Sequence, residues 1–265
     1  MPPTLPPILQ LKDPAATSVF QPANLLREAR RQRGLQDADI PTLCLLDPDG
    51  DIVRHLRRTG AAQPVAHWAC YHTEMWQFTW QGLQFGVVGC AVGAPFAVLV
   101  AEQMFASGCQ FLISITSSGQ ILPVAEPPYF ILIDKALRDE GTSHHYLAPS
   151  TFSAASPELL AKLQALATDA HAAIHVGATW TTDAPYRETE AAIAAHRAAG
   201  ILAVEMEAAA LYAFAQARQH PVACFAHVTN TMAQNQGDFE KGEADGALAA
   251  LDVVAAAARA WLAAR

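Results

Sequence analysis

The stretch AVGAPFAVLVAEQMFASGCQFLISITSSGQI, residues 91–121, runs from a glycine–proline turn through an apolar helix into a strand and ends in a cluster of hydroxyls. Pro95 suits the first turn of a helix, where a missing N–H leaves nothing unpaired, and residues 95–107 predict that helix. CQFLISI, residues 109–115, is apolar without alternation, the pattern of a strand covered on both faces. Helix followed by buried strand is one β/α unit, and the rest of the chain repeats the theme.

Outward from this unit, TLCLL (42–46), FGVVG (85–89), YFILI (129–133), IHVGATW (174–180), ILAV (201–204) and VACFAHV (222–228) predict further strands. Helices are predicted at 157–173, 188–199, 206–219 and 241–264, with Ser156 before Pro157 as an N-cap and first-turn proline. No fixed-period repeat or low-complexity linker interrupts the pattern, so a single α/β domain over residues 42–265 is expected. Residues 1–41 are proline-punctuated and then basic, with Arg27, Arg30, Arg31 and Arg33 in a short helical stretch, and are expected to form an N-terminal arm.

Composition excludes several classes. With 52% apolar and 16% charged residues, against about 25% charged in an ordinary domain, the chain is not disordered and has a large core to bury. A net charge of -8 offers no basic field for a phosphate backbone, so nucleic acid is not an expected partner. So few charges over so apolar a chain also suggest surface covered by another subunit. The five cysteines are widely spaced and never form a C-x-x-C pair, which argues against a disulfide framework or a zinc site. The N-terminus lacks the basic and apolar regions of a secretion signal, so the cytoplasm is the expected location. The apolar stretch from Phe85 to Ala101 contains Gly86, Gly89, Gly93 and Pro95, and fits a strand, turn and helix better than a membrane span.

Three polar clusters follow apolar strands, where open α/β sheets bind ligands. In LLDPDGD, Asp47, Asp49 and Asp51 crowd a Pro-Gly turn, which is also an ordinary turn sequence; no further ligand spacing supports a metal loop. In SITSSGQI, residues 114–121, Ser114, Thr116, Ser117 and Ser118 offer hydroxyls with no lysine or arginine beside them, an arrangement suited to neutral hydroxyls or water. In AVEMEAAALYAFA, residues 203–215, Glu205 and Glu207 flank Met206 at the start of an apolar helix. Acids there complement the helix dipole. Two carboxylates entering a buried helix also need partners, and a ligand with two vicinal hydroxyls supplies them.

VEMEAAALYAFA resembles the signature of the nucleoside phosphorylase and nucleosidase superfamily, which includes uridine phosphorylase and methylthioadenosine nucleosidase. DPDGDIV resembles the family's first strand-end loop, and residues 91–121 its central glycine turn, helix, strand and ligand loop. DEGTSHHYLAP, VGATWTTDAPYRE and HVTNTMA resemble later segments in the right order, so the resemblance covers about residues 42–260. It implies a mixed central β-sheet flanked by helices, no cofactor and no metal, and assembly as a homodimer or a hexamer of dimers with sites completed across the interface.

The resemblance also implies roles. Glu207 would bind the ribose 2′- and 3′-hydroxyls and Met206 would pack against the sugar, with Glu205 beside them in the substrate site. Ser117 and Ser118 would contact the sugar or the nucleophile. Asn230 stands where purine-cleaving members carry aspartate; it can orient a base but not protonate it, which disfavours a purine leaving group. Tyr186 and Arg187 fall in the base-reading segment without its glutamine–arginine pair, Asp183 would support that loop, and His144 and His145 fit a structural role equally well. Phosphorylases hold phosphate with arginines at positions that fall here near Gly50, Ser114 and Tyr71, and none is present. Charge-assisted contacts are worth about 1.5–3 kcal/mol each, so their loss weakens a dianion site, although Arg54, Arg57 and Arg58 lie close in sequence. Nucleosidases instead place a carboxylate in the first loop to activate water, a role open to Asp47 or Asp49. The expectation is an enzyme that cleaves the N-glycosidic bond of a nucleoside or related riboside by hydrolysis. The alternatives are a phosphorylase with relocated phosphate ligands, or a binding protein without turnover.

Overall fold

The computed structural model describes residues 6–10, 12–166, 174–232 and 236–263. In chain order the elements are α1 (Pro22–Arg33), β1 (Leu43–Asp47), α2 (Asp51–Arg58), β2 (Ala62–Pro64), β3 (Trp76–Trp80), β4 (Leu83–Gly89), α3 (Ala94–Ala106), β5 (Phe111–Gln120), β6 (Tyr129–Asp139) and β7 (Phe152–Ala154). They continue with α4 (Pro157–Leu163), β8 (Ile174–Thr182), α5 (Glu190–Ala198), β9 (Ala203–Glu205), α6 (Ala208–Arg218), β10 (Val222–Asn230) and α7 (Ala247–Leu262).

The strands form one mixed sheet that closes on itself through β5. The first half of β5 pairs in parallel with β1, its far end pairs antiparallel with β9 at Gly119 and Gln120, and its other edge pairs with β10 along most of its length. β10 continues to β6, β6 to β8 and β8 to β9, so β5, β10, β6, β8 and β9 make a ring, while β1, β4, β3 and β2 extend as an open wing. A closed ring leaves no strand edge to pair with another chain. Gly119 sits at the fork, where a Cβ would press on Val204 Cγ1 at 3.3 Å and oblige the Met232 side chain to move.

Helices cover both faces. α3 and α6 pack on one side, with Ala97, Val98, Ala101, Leu211 and Phe214 buried against Leu46, Leu112 and Ile131. On the other, α2, α4 and α7 bring Leu56, Leu159, Leu251 and Val254 onto Leu45, Phe85 and Phe225, with Trp261 stacked on Phe111 at 5.0 Å. This two-sided cover explains why the strands read as continuous apolar runs. No helix among the described residues is long and apolar enough to cross a membrane.

Several expectations change. SITSSGQI, expected as a ligand loop, is the continuation of β5 as far as Gln120, so its hydroxyls sit on a rigid strand. The helix expected at 241–264 begins only at Ala247, after a single turn at Glu243–Gly246. The helix expected at 157–173 is seen as Pro157–Leu163, capped by Ser156 as anticipated, and residues 167–173 lie outside the described residues. α2 and the strands β2, β3 and β7 were not foreseen; α2 hides its apolar face behind four basic side chains in eight residues, DIVRHLRR. The basic helix in the arm does form, and Arg27 and Arg31 both pair with Glu28 on its solvated side.

Candidate active site

The turn after β1 places three aspartates in three different environments. Gly50 takes a left-handed conformation with φ 77° and redirects the chain into α2. Asp47, 2% exposed, accepts hydrogen bonds from the Gly50 amide at 3.1 Å and the Val53 amide at 2.9 Å, so both its oxygens are spent on closing the turn and capping the helix. Burial pushes its carboxyl up to about 7, against the pull of the Val53 amide and with Asp49 and Asp51 adding to the rise. Asp49 crosses instead to β5, where Oδ2 accepts from the Ser117 amide at 2.6 Å and faces the Thr116 hydroxyl at 3.4 Å. Asp51 takes the cations: Arg54 and Lys241 both pair with it. The three side chains turn to different partners and do not converge as a metal site.

β5 and β10 continue the cleft. Ser117 and Thr229 share a hydroxyl–hydroxyl bond of 2.7 Å. Ser118 is buried and donates to the Thr116 carbonyl at 3.2 Å. Asn230 directs Nδ2 at the Ser118 carbonyl (3.4 Å) and the Thr229 hydroxyl (3.2 Å), while its Oδ1 accepts from the Met232 amide at 2.9 Å. Below them on β10, His227 is stacked on Phe130 at 4.5 Å, and burial, with Lys241 nearby, pushes its imidazole down to about 4.

The two glutamates at the entrance to α6 divide the work. Glu205 accepts from the Thr179 and Thr181 hydroxyls and from the Glu207 and Ala208 amides, the last two at 2.7 Å; it is 3% exposed and caps the helix, with its lone pairs given to the protein. Capping, the alternative that its place in the first turn allowed, is what its contacts show. Glu207 reaches across to α3, where Oε1 accepts from the Gly93 amide at 2.7 Å. Its Oε2 is buried and has no partner, the only carboxylate oxygen of the cleft in that condition among the described residues. Burial pushes this carboxyl up to about 8, with the neighbouring Glu205 and Asp49 adding to the rise and the Gly93 amide and the nearby Thr116 hydroxyl, which makes no hydrogen bond of full geometry to it, opposing it. A buried oxygen without a donor is costly unless a ligand supplies one.

Asp47, Asp49, Ser117, Ser118, Glu205, Met206, Glu207 and Asn230 thus gather where β1, β5, β9 and β10 end, with Met206 half-buried between the two glutamates. Tyr186 and Arg187, in the short turn after β8, are exposed, Tyr186 at 98%, and among the described residues no side-chain hydrogen bond joins either to the cleft. Asp183 accepts from the Gly141 amide at 2.8 Å and so steadies its loop. His144 and His145 face Arg138 and Lys12, and burial lowers both imidazoles. Sequence reading did not single out Thr116 as the partner of Asp49, the amide of Gly93, Thr229 or Lys241. The alternation of Ser117 with the paired strand β10 carries a signal for Thr229 once the register is known, but nothing local marks Lys241.

Fold and site together define an α/β protein whose strand ends form an acidic, hydroxyl-lined cleft around one unpartnered buried carboxylate oxygen. Residues 42–260 match the family model described as the phosphorylase superfamily, and the chain belongs to that family. It is 26% identical to a uridine phosphorylase of Thermococcus kodakarensis over 230 residues, covering 77% of this chain and 82% of that protein. It is also 26% identical to a guanosine phosphorylase of Halorubrum lacusprofundi over 138 residues, a match that spans 52% of this chain and only 57% of the relative. The crystal structure of a uridine phosphorylase from Vibrio fischeri superposes with a TM-score of 0.67 at 19% identity, covering 84% of this chain and 90% of the other, and shows the same fold.

Proposed function

We propose that this protein cleaves the N-glycosidic bond of a nucleoside or related riboside, with water as the nucleophile. The observation that carries this reading is the Asp49 carboxylate seated on the Ser117 amide at 2.6 Å. An anionic co-substrate placed against that amide and the Thr116 hydroxyl would meet a carboxylate that already faces both groups and repels a second anion. A water beside Asp49 is instead well placed to lose a proton.

In this scheme Glu207 Oε2 receives a ribose hydroxyl, filling its unmet hydrogen bond. As the C1′–N bond breaks, its electron pair leaves with the base and positive charge builds on the sugar. That charge favours the ionised form of Glu207, so the carboxylate stabilises the transition state more than the ground state. The water oxygen bonds to C1′, its proton passes to Asp49, and the base takes a proton from solvent. Ser117 orients the sugar or the water, and Ser118 and Asn230 shape the floor beneath the base.

A second reading has its own observation. Arg54 and Lys241 converge on Asp51 beside the same turn, and the named relatives are phosphorylases, so cations from new positions would hold phosphate there. Base release from a nucleoside panel with and without phosphate separates the two. Free pentose formed without phosphate is expected; strict phosphate dependence with a pentose 1-phosphate product overturns the hydrolytic reading. Assembly into at least a dimer belongs to this proposal, with exposed Tyr71, Val92 and Leu99 available for a second copy to cover. A monomer mass in sedimentation at micromolar concentration would contradict it.

A further inference from the structure

The N-terminal arm crosses α3 without closing on it. α1 anchors one end, with Leu26 and Ala29 buried against Ala69, and Lys12 anchors the other by donating Nζ to His145 Nδ1 at 3.0 Å. Between these anchors the side-chain hydrogen bonds of the arm stay within it: Asp13 accepts from the Ala15 amide at 3.1 Å and Ser18 donates to the Phe20 carbonyl at 2.9 Å. Beneath it lies a cavity of about 350 Å³, lined on the arm's side by Phe20, Pro22 and Leu25 and on the other by Glu102 and Gln103 of α3 and Arg218 of α6.

Gln103 is 3% exposed, and its Nε2 donates to the Leu99 carbonyl at 3.3 Å. That bond sets the orientation of the amide, since a flip would place oxygen against oxygen. Its Oε1 is buried without a partner, an acceptor that costs stability until a donor arrives. The paired donors of the lining go elsewhere: the Tyr146 hydroxyl to Glu102 Oε1 at 3.0 Å, Arg218 Nε and Nη2 to the same oxygen at 3.3 and 3.2 Å, and the Ser18 hydroxyl to Phe20. The missing donor has to come with a ligand. Apolar walls with one unmet acceptor fit a flat ring bearing one N–H or O–H, and Phe20, 71% exposed, supplies an aromatic ring for it to stack on.

We propose that this cavity is a binding site, separate from the cleft, for a small flat aromatic or heterocyclic molecule whose N–H or O–H donates to Gln103 Oε1. Its lining shares no residue with the cleft. Along α3 from Gly93 to Gln103, and along α6 from Glu207 to Arg218, the chain rises about 15 Å. The two sites therefore lie toward opposite ends of one helix pair, and the second stands whether or not the first turns over a nucleoside.

Indole carries the donor, and benzofuran, with oxygen in place of N–H, has the same shape without it. Calorimetric titration of the full chain is expected to show a single indole site and about 10-fold weaker binding of benzofuran, the difference that one hydrogen bond to a buried acceptor makes. Gln103→Leu should bring indole down to the benzofuran level. Ala217→Trp, at an exposed position of the lining, should fill the cavity and abolish both. Glu207→Gln, in the cleft, should change neither. Equal affinity for the two ligands, no binding of indole at millimolar concentration, or binding that survives Ala217→Trp overturns the proposal. Loss of binding in Glu207→Gln assigns the ligand to the cleft and overturns it as well. If Gln103→Leu fails to fold, the indole to benzofuran ratio of the parent and the Ala217→Trp result still decide.

Discussion

The turn into α2 and the turn into α6 solve the same problem with the same spacing. In each, one carboxylate caps its own helix, Asp47 in the first and Glu205 in the second, while the acid two residues later crosses to a backbone amide of another element, Asp49 to Ser117 and Glu207 to Gly93. The environments separate them. Asp49 is partly exposed, whereas Glu207 is 1% exposed with one oxygen unpartnered and its carboxyl pushed up to about 8. Two acids with one local geometry are thereby set in different surroundings, and the mechanism proposed above gives water to the first and a ligand's hydroxyls to the second. Burial divides the work, and the sequence motif does not.

Substitutions can break this comparison at each of its four corners. Glu207→Gln keeps the shape but removes the charge that the sugar cation calls for, and is expected to lower kcat/KM for base release by about 100- to 1,000-fold with little change in melting temperature. Glu205→Ala orphans two amides and two buried hydroxyls, and its expected cost is about 3 kcal/mol of stability in denaturant titration. An unchanged midpoint there would mean that Glu205 is not the cap. Asp49→Asn preserves an acceptor for Ser117 and removes the base, so hydrolysis should fall by about 100-fold; if phosphate then restores base release, the second reading gains. Asp47→Ala is expected to cost about 1 kcal/mol, as for the loss of a helix cap, and to slow turnover only through the tilt of the loop.

The smallest effect is in pH. A carboxyl raised to about 8 in the folded state binds its proton more tightly there than in the unfolded chain, so stability is lost as pH rises from the ordinary carboxylate range through about 8. His227, lowered to about 4, acts in the opposite sense, but its effect is complete above the ordinary histidine value of 6.5. Between pH 6.5 and 8 the melting temperature of the ligand-free protein should therefore decline. Asp47, raised to about 7, contributes to the same decline. A Glu207→Gln variant that kept the full slope would place the raised pKa elsewhere.

Much of the fold was legible because buried strands are written as apolar runs. β1, β4, β5, β6, β8 and β10 were found that way, and α3 was announced by Gly93 and Pro95. What escaped was marked by weaker patterns: β3 alternates Trp, Gln, Phe, Thr, Trp in the half-exposed wing, and β2 and β7 are three residues each. The polar half of β5 was mistaken for a loop because its hydroxyls have no local hydrophobic signal; their partners arrive from β10, more than a hundred residues away.

From its order of residues alone the chain determined a large α/β core, its membership signature and the set of acids that gather in one cleft, since hydrophobic periodicity and short motifs act over a few residues. Which acid caps, which crosses and which keeps a free oxygen was decided only in three dimensions. A carboxylate's role follows from the donors and the water around it, and those come from Gly93, Val53, Ser117 and Thr181, residues scattered along the chain that the closed sheet brings together.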